Sequence, residues 1–195
     1  MSIAVLTKSY PAPRISEREI LRYMGAPSND GIESLICDAI REAEGKISYR
    51  VCYVELPLSV SGELCDFGAL SVRSRALAKA LSGCRRAIIF AATVGVGIDR
   101  LIGKYSRISP TAALAYDAFG SERIEALCDS FTEDIRSGCG VAVTPRYSPG
   151  YGDLPLDFQR DVFAILDCER RIGLTLCDSL IMTPTKSVTA ILGLK

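Results

Sequence analysis

Residues 86–94 contain six consecutive apolar side chains, Ala87-Ile88-Ile89-Phe90-Ala91-Ala92, with no polar alternation. A strand with one wet face alternates apolar and polar residues; an unbroken run is consistent with a strand buried on both faces. Any fold for this chain has to cover that strand from two sides. The remaining segments are read against that demand.

Helical signals are plentiful. Ser16-Glu17-Arg18-Glu19 matches a capping box, in which Ser16 satisfies backbone N–H groups and Glu19 reaches back. The helix it starts carries Ile20, Leu21 and Met24 and stops at Gly25, with Pro27 beyond. Asn29-Asp30 caps a second helix, in which Ile32, Leu35, Ile36, Ala39, Ile40 and Ala43 keep a helical period until Gly45. Residues 74–81 read as a helix ended by Gly83. Ser109-Pro110 opens a long one that runs to Gly138 through Leu114, Ile124, Leu127, Phe131 and Ile135. Gly120-Ser121 within it either bends the helix or allows close packing. Residues 157–171 form an amphipathic helix with Phe158, Val162, Ile165 and Leu166 on one side.

Strand signals lie between. The opening residues to Pro13 read as a strand or arm, and residues 48–58 turn β-like before a turn at Ser61-Gly62. Residues 67–72 form a further short strand candidate. Residues 141–144 form a strand delivering the chain into a Pro/Gly-rich loop, 145–155, and residues 174–194 read as β-structure broken near Met182-Thr183-Pro184. Helices and strands alternate without a regular βαβ period. The expected fold is α+β: one domain with a twisted antiparallel or mixed sheet flanked by helices. Within it, residues 1–46 form a helical N-terminal arm and residues 47–195 the main body.

Composition removes several function classes. The 23 basic and 23 acidic residues balance and are interspersed, which argues against a nucleic-acid or membrane surface held by a strong net field. No apolar run approaches the roughly 18–20 residues of a membrane span. Met1-Ser2-Ile3-Ala4-Val5-Leu6 has no preceding basic segment and does not read as a signal peptide, so a cytoplasmic location is expected. The eight cysteines include no Cys-x-x-Cys pair; Cys37, Cys52, Cys128 and Cys168 fall in apolar stretches and read as small buried hydrophobes. Histidine is absent, which removes Ser-His-Asp and Cys-His catalysis and histidine-ligated metals.

Three segments could carry chemistry. Thr93-Val94-Gly95-Val96-Gly97 follows the buried strand like the start of a dinucleotide-binding turn, but Arg100 stands where a third glycine belongs, and a tight strand-to-helix turn accounts for it. Lys186-Ser187 would make a Ser/Lys pair, but adjacent strand residues point to opposite faces. The loop Arg146-x-x-x-Gly150-Tyr151 is richer. Its arginine offers a planar fork for a carboxylate, its glycine close backbone approach, and its tyrosine a face for an adenine or a sulfonium cation.

The segment from Arg146 onward resembles the C-terminal part of the activation domain of vitamin B12-dependent methionine synthase. That family has an R-x-x-x-G-Y-P loop, then a helix, then a Pro-x-x-Ser-Val segment. Here the matches are Arg146, Gly150 and Tyr151, the helix 157–171, and Pro184-Thr185-Lys186-Ser187-Val188. Upstream, Arg22-Tyr23-Met24-Gly25, Thr93-Val94-Gly95 and 120–127 look like the shorter, free-standing members. The resemblance implies an S-adenosylmethionine site formed by Arg146, Ser148 (through backbone groups), Gly150 and Tyr151, with a helix glutamate, Glu125 or alternatively Glu122. Gly152 replaces the family's proline, which is expected to loosen the loop.

By that resemblance the chain is a stand-alone reactivation module. It binds S-adenosylmethionine and presents it to a separate corrinoid protein, with a reductant such as flavodoxin or ferredoxin, for reductive methylation of cob(II)alamin. No general acid or base is needed, and homocysteine methylation would not be completed by this chain alone. A docking module that has lost the ligand, and a nucleotide-using enzyme built on residues 93–100, are the alternatives.

Overall fold

The computed structural model describes residues 4–25 and 30–195; Pro27 and the expected cap at Asn29 lie outside the described residues, while Gly25 ends the first helix as expected. The elements run β1 (Leu6–Tyr10), α1 (Glu17–Met24), α2 (Asp30–Ala43), β2 (Tyr49–Pro57), β3 (Ser59–Ser61), β4 (Leu64–Asp66), β5 (Ser71–Arg73), α3 (Arg75–Ala80) and β6 (Arg86–Thr93). There follow α4 (Gly97–Tyr105), α5 (Pro110–Cys139), α6 (Phe158–Leu166), α7 (Cys168–Ile172), β7 (Thr175–Leu176), β8 (Met182–Thr183) and β9 (Ser187–Leu194).

β6 is a central strand of a four-stranded antiparallel sheet ordered β1-β2-β6-β9. Its alternate residues divide the interior. Ile88, Phe90 and Ala92 join Val51, Ala190 and Leu192 beneath α1, α2, α4 and α5. Ala87, Ile89 and Ala91 join Cys52, Val54 and Ile191 beneath α3, α6 and α7. Each buried Ile or Phe contributes about 1.5–3 kcal/mol, so the apolar run sits where two layers of helix make use of it. The α+β expectation, with an antiparallel sheet flanked by helices, holds.

Four local expectations are corrected. Residues 67–72 are not one strand: β4 ends at Asp66 and β5 begins at Ser71, with Gly68 at φ 80° in the turn between them. The Asp66 carboxylate accepts the Gly68 N–H there. The helix expected at 157–171 is two helices, because Asp167 adopts a left-handed conformation that ends α6 and starts α7. Residues 141–144 form no strand of their own; Val143 and Tyr147 make only isolated bridges to Leu194 and Ile191 of β9. Cys37 is exposed, not buried, because Ile36, Ala39 and Ala43 form the inward stripe of α2 and Cys37 lies off it. Cys52, Cys128 and Cys168 are buried thiols as expected.

The long helix α5 organises one face. Thirty residues at about 1.5 Å each span ~45 Å. Gly120 packs closely rather than bending it, since a Cβ there would lie 2.7 Å from Ile98 Cγ2. One turn of α5 carries a buried ion pair, Glu122 and fully buried Arg123. Arg123 also donates to the carbonyls of Pro13 (2.6 Å) and Arg14 (2.9 Å), and Glu122 accepts the Ser16 N–H at 3.0 Å. The capping box is therefore completed differently from the sequence expectation. Ser16 Oγ accepts from the Glu19 N–H, but Glu19 turns outward to Arg22, and Glu122 takes the Ser16 N–H in its place.

A second polar knot joins α2 to α4 and α5. Glu42 accepts hydrogen bonds from Tyr105 (2.6 Å), Tyr116 (2.7 Å) and Lys104 (2.9 Å). The Tyr105 hydrogen bond, then those of Lys104 and Tyr116, lowers its carboxyl pKa to about 2.

Two predictions follow from these networks. Arg123→Met leaves Glu122 buried without its partner and should cost about 3–5 kcal/mol in denaturant unfolding, whereas adding Glu122→Gln should recover part of that loss. An unchanged unfolding midpoint in the single variant would refute the structural role of the pair. For Glu42, the unfolded carboxyl titrates near ~4.3 and the folded one near 2. Its contribution, about 1–2 kcal/mol, is complete above about pH 5 and lost as pH falls toward 2. Unfolding of Glu42→Gln, measured from pH 6 to 2, should lack this component of the acid dependence.

Candidate functional site

The backbone parity of β9 prepares a cleft. Its even residues face β6, since the Lys186 and Leu194 carbonyls accept from Val94 and Arg85 at the two ends of that pairing. Its odd residues face the opposite edge, where Tyr147 exchanges hydrogen bonds with Ile191 and the Gly193 carbonyl accepts from Thr144. Beyond Tyr147 the chain peels away. The N–H and C=O of Thr189 then point to an edge where, among the described residues, no backbone group meets them. A free strand edge of this kind offers a donor and an acceptor side by side.

The space opened there is a cleft of about 520 Å³, within the roughly 300–1,000 Å³ of small-molecule sites. The loop contributes Arg146, Tyr147, Ser148, Pro149 and Tyr151; α5 contributes Glu125; Leu156, Gln159, Met182 and residues 187–189 of β9 complete it. Of the residues singled out in the sequence, Arg146, Ser148, Tyr151 and Glu125 all line this one cleft. Gly150 does not line it but makes its turn, at φ 89°. Glu122 lies elsewhere: it is 4% exposed and committed to Arg123 and Ser16. A larger hollow of about 640 Å³ between α1 and α2 carries none of these residues and ends at Gly25, beside residues outside the described set.

Arg146 does not extend freely into the cleft. Its Nη2 donates to Glu125 Oε2 at 2.7 Å and its Nη1 to Asp129 Oδ1 at 2.6 Å. Glu125 and Asp129 are four residues apart and so share a face of α5. Two carboxylates against one guanidinium leave the cluster formally negative. Asp129 was not singled out in the sequence, although its i+4 spacing from Glu125 was a usable signal. Gln159 and Thr189 were also missed; the Thr189 hydroxyl and the Gln159 amide lie 3.2 Å apart on the cleft wall. Only the fold brings them together. Cys128, buried beneath the cluster, has its thiol pushed up to about 12 by burial, so it remains protonated.

The loop is held firmly. Gly150 N–H donates to Leu154, Leu154 N–H to Tyr151, and Tyr151 N–H to Ser148. The Tyr147 hydroxyl reaches the Tyr151 carbonyl. Asp153 accepts from the Ser74 hydroxyl and the N–H groups of Arg75 and Ala76 at the start of α3, and these hydrogen bonds, that from Ser74 above all, hold its carboxyl below the usual range. The expected loosening at Gly152 is therefore corrected. Gly152 sits at φ +56°, and a Cβ there would lie 2.6 Å from the Tyr147 hydroxyl. Tyr151 is 69% exposed and lines the cleft.

The other two sequence candidates resolve as structural features. Lys186 donates to Asp117 and Ser121, while Ser187 turns inward to Thr93, so the two point apart. The turn 93–97 joins β6 to α4, with the Lys46 carbonyl pressed against Gly97.

Residues 143–194 match the family model described as vitamin B12 dependent methionine synthase, activation domain. No curated protein matches the chain significantly in sequence. A solved structure of the MetH reactivation domain bound to AdoHcy shares the fold, with a TM-score of 0.74 at 15% identity over 98% of this chain and 78% of that one. The resemblance read from the loop, the following helix and the Pro-x-x-Ser-Val segment thus holds in the family model over residues 143–194; upstream of them the likeness to the solved structure is one of fold.

The loop geometry predicts that restoring the family's proline fails here. Proline requires φ near −65°, so Gly152→Pro should lower stability by more than about 1 kcal/mol in thermal unfolding. A variant as stable as the parent would contradict the conformation described.

Proposed function

We propose that this chain binds S-adenosylmethionine in the cleft between α5, the loop 145–155 and β9, and presents it to a separate corrinoid protein. The observation that carries this reading is the convergence of Arg146, Ser148, Tyr151 and Glu125 on one cleft, in the fold of a domain solved with AdoHcy bound.

The residues present fit such a ligand. A free strand edge at Thr189 suits the hydrogen-bonding edge of an adenine. The Tyr151 face suits an adenosyl ring or sulfonium. The negative excess at Glu125 and Asp129 favours the ligand's cationic groups, and the guanidinium of Arg146 suits its carboxylate. Bound S-adenosylmethionine would supply a sulfonium methyl for transfer to reduced corrinoid cobalt on the partner, with electrons from a flavodoxin- or ferredoxin-like donor. The chain's own residues bind, orient and shield; none is placed as a general acid, base or nucleophile, and Cys128 is held as a neutral thiol.

A second reading has a specific observation in its favour. Both terminal nitrogens of Arg146 are already paired with carboxylates, as in a docking module that no longer holds the ligand.

Calorimetric titration with S-adenosylmethionine separates the two. Saturable binding weakened about tenfold or more by Arg146→Ala, equivalent to about 1.4 kcal/mol, is expected. Saturable binding that the substitution leaves unchanged would sink the role of Arg146. No binding, together with a stable complex with a corrinoid protein, would establish the docking module.

A further inference from the structure

The geometry points to Asp129 as a built-in competitor that occupies Arg146 until a ligand carboxylate displaces it, an inference that rests on the binding reading above. The Arg146 side chain is 22% exposed and its guanidinium is held from two sides, by Glu125 and Asp129. A ligand with a carboxylate must displace one of these partners, or share the fork with them.

The two partners are not equivalent. The Glu125 side chain is 46% exposed and lines the cleft, whereas the Asp129 side chain is 74% exposed and does not. Asp129 borders the neighbouring groove between α1 and α5, beside Arg22 and Ser130; Glu125 stands between the two, bordering both that groove and the cleft. A carboxylate that is already mostly hydrated loses little on release, and exposed ion pairs are weak. Glu125 stays, and its other carboxylate oxygen, Oε1, meets the ligand's ammonium. Arg146 and Glu125 together then match a zwitterionic amino-acid end, and Asp129 sets how much carboxylate strength a ligand needs to enter. Its helical position fixes this role: four residues beyond Glu125, it reaches the opposite Nη of the same guanidinium.

The test is calorimetric titration of wild type, Asp129→Asn and Glu125→Gln with two ligands, S-adenosylmethionine and its decarboxylated analogue. Removing a negative charge weakens both cationic ligands, so the readout is the ratio of their affinities. In Asp129→Asn the preference for S-adenosylmethionine over the analogue should rise about two- to fivefold, as expected for release of an exposed ion pair. Glu125→Gln should weaken both ligands. A ratio that is unchanged or falls in Asp129→Asn, while S-adenosylmethionine still binds, overturns the competitor and leaves the binding reading intact. Binding of neither ligand to wild type or Asp129→Asn overturns both. Asp129 lies on an exposed surface, so an unchanged unfolding midpoint serves as the folding control.

Discussion

The ion pair between Glu122 and Arg123 fixes the rotation and axial position of α5, and the rest of the architecture depends on that placement. Adjacent helix residues point about 100° apart. The pair nevertheless acts as one unit, because Arg123 curls back onto Glu122 while its other nitrogens hold the carbonyls of residues 13 and 14. This closes the N-terminal segment over the helix and satisfies a charge that is otherwise costly to bury. With α5 in that phase, Ile124, Leu127, Cys128 and Phe131 go into the core, and Phe131 meets Phe90 of β6 with ring centroids 4.7 Å apart. Glu125 and Asp129 are left on the side facing Arg146. The candidate site is thus a consequence of how a neighbouring turn is buried.

The same logic explains why the cleft lies beside β9. Residues 143–147 follow the outer edge of that strand only while Tyr147 and Thr144 have partners on it. Past Tyr147 the chain has to reach α6, and Asp153 redirects it by docking on the start of α3. The loop is held at both ends, and between them the sheet edge is left open at Thr189. An anchored loop and an unpaired edge make a preformed recess, which is what a small ligand needs if binding is not to cost the ordering of the protein itself.

Much of this was legible in the sequence, for identifiable reasons. The apolar run 87–92 announced a strand covered twice, and the cap at Ser109-Pro110 placed the start of α5 to the residue. The loop Arg146-x-x-x-Gly150-Tyr151, the helix after it and residues 184–188 were legible as an ordered set, because each has local chemistry that spacing preserves. The partners of Arg146 were not legible as such: Glu125 was expected from the resemblance as a ligand contact, the i+4 spacing could place Asp129 only beside Glu125, and both ion pairs need the tertiary meeting of helix and loop. The break at Asp167 was not legible, because the surrounding apolar period continues through it and only the left-handed backbone reveals the interruption. The reversal at residues 67–70 was missed for a related reason: Phe67 and Leu70 are apolar, and the turn is closed by a Phe67–Leu70 backbone hydrogen bond and the Asp66 carboxylate. The reciprocal arm of the capping box was misassigned because a glutamate 106 positions away competes for the same N–H.

Gly152 shows why a family motif does not carry its geometry with each residue separately. A proline after the tyrosine stiffens a loop by fixing φ near −65°, and its loss suggests slack. In this chain the position is at φ +56°, in contact range of the Tyr147 hydroxyl and Ala76. Rigidity is supplied instead by Asp153 on α3 and by the hydrogen bonds that close residues 148–154 on themselves. Tyr151 lines the cleft here with no proline after it. A motif departure of this kind alters affinity only if it moves the groups that face the ligand. Here Arg146, Ser148 and Tyr151 still line one cleft, and the carboxylates that hold the arginine, rather than the missing proline, are what a carboxylate-bearing ligand would have to meet there.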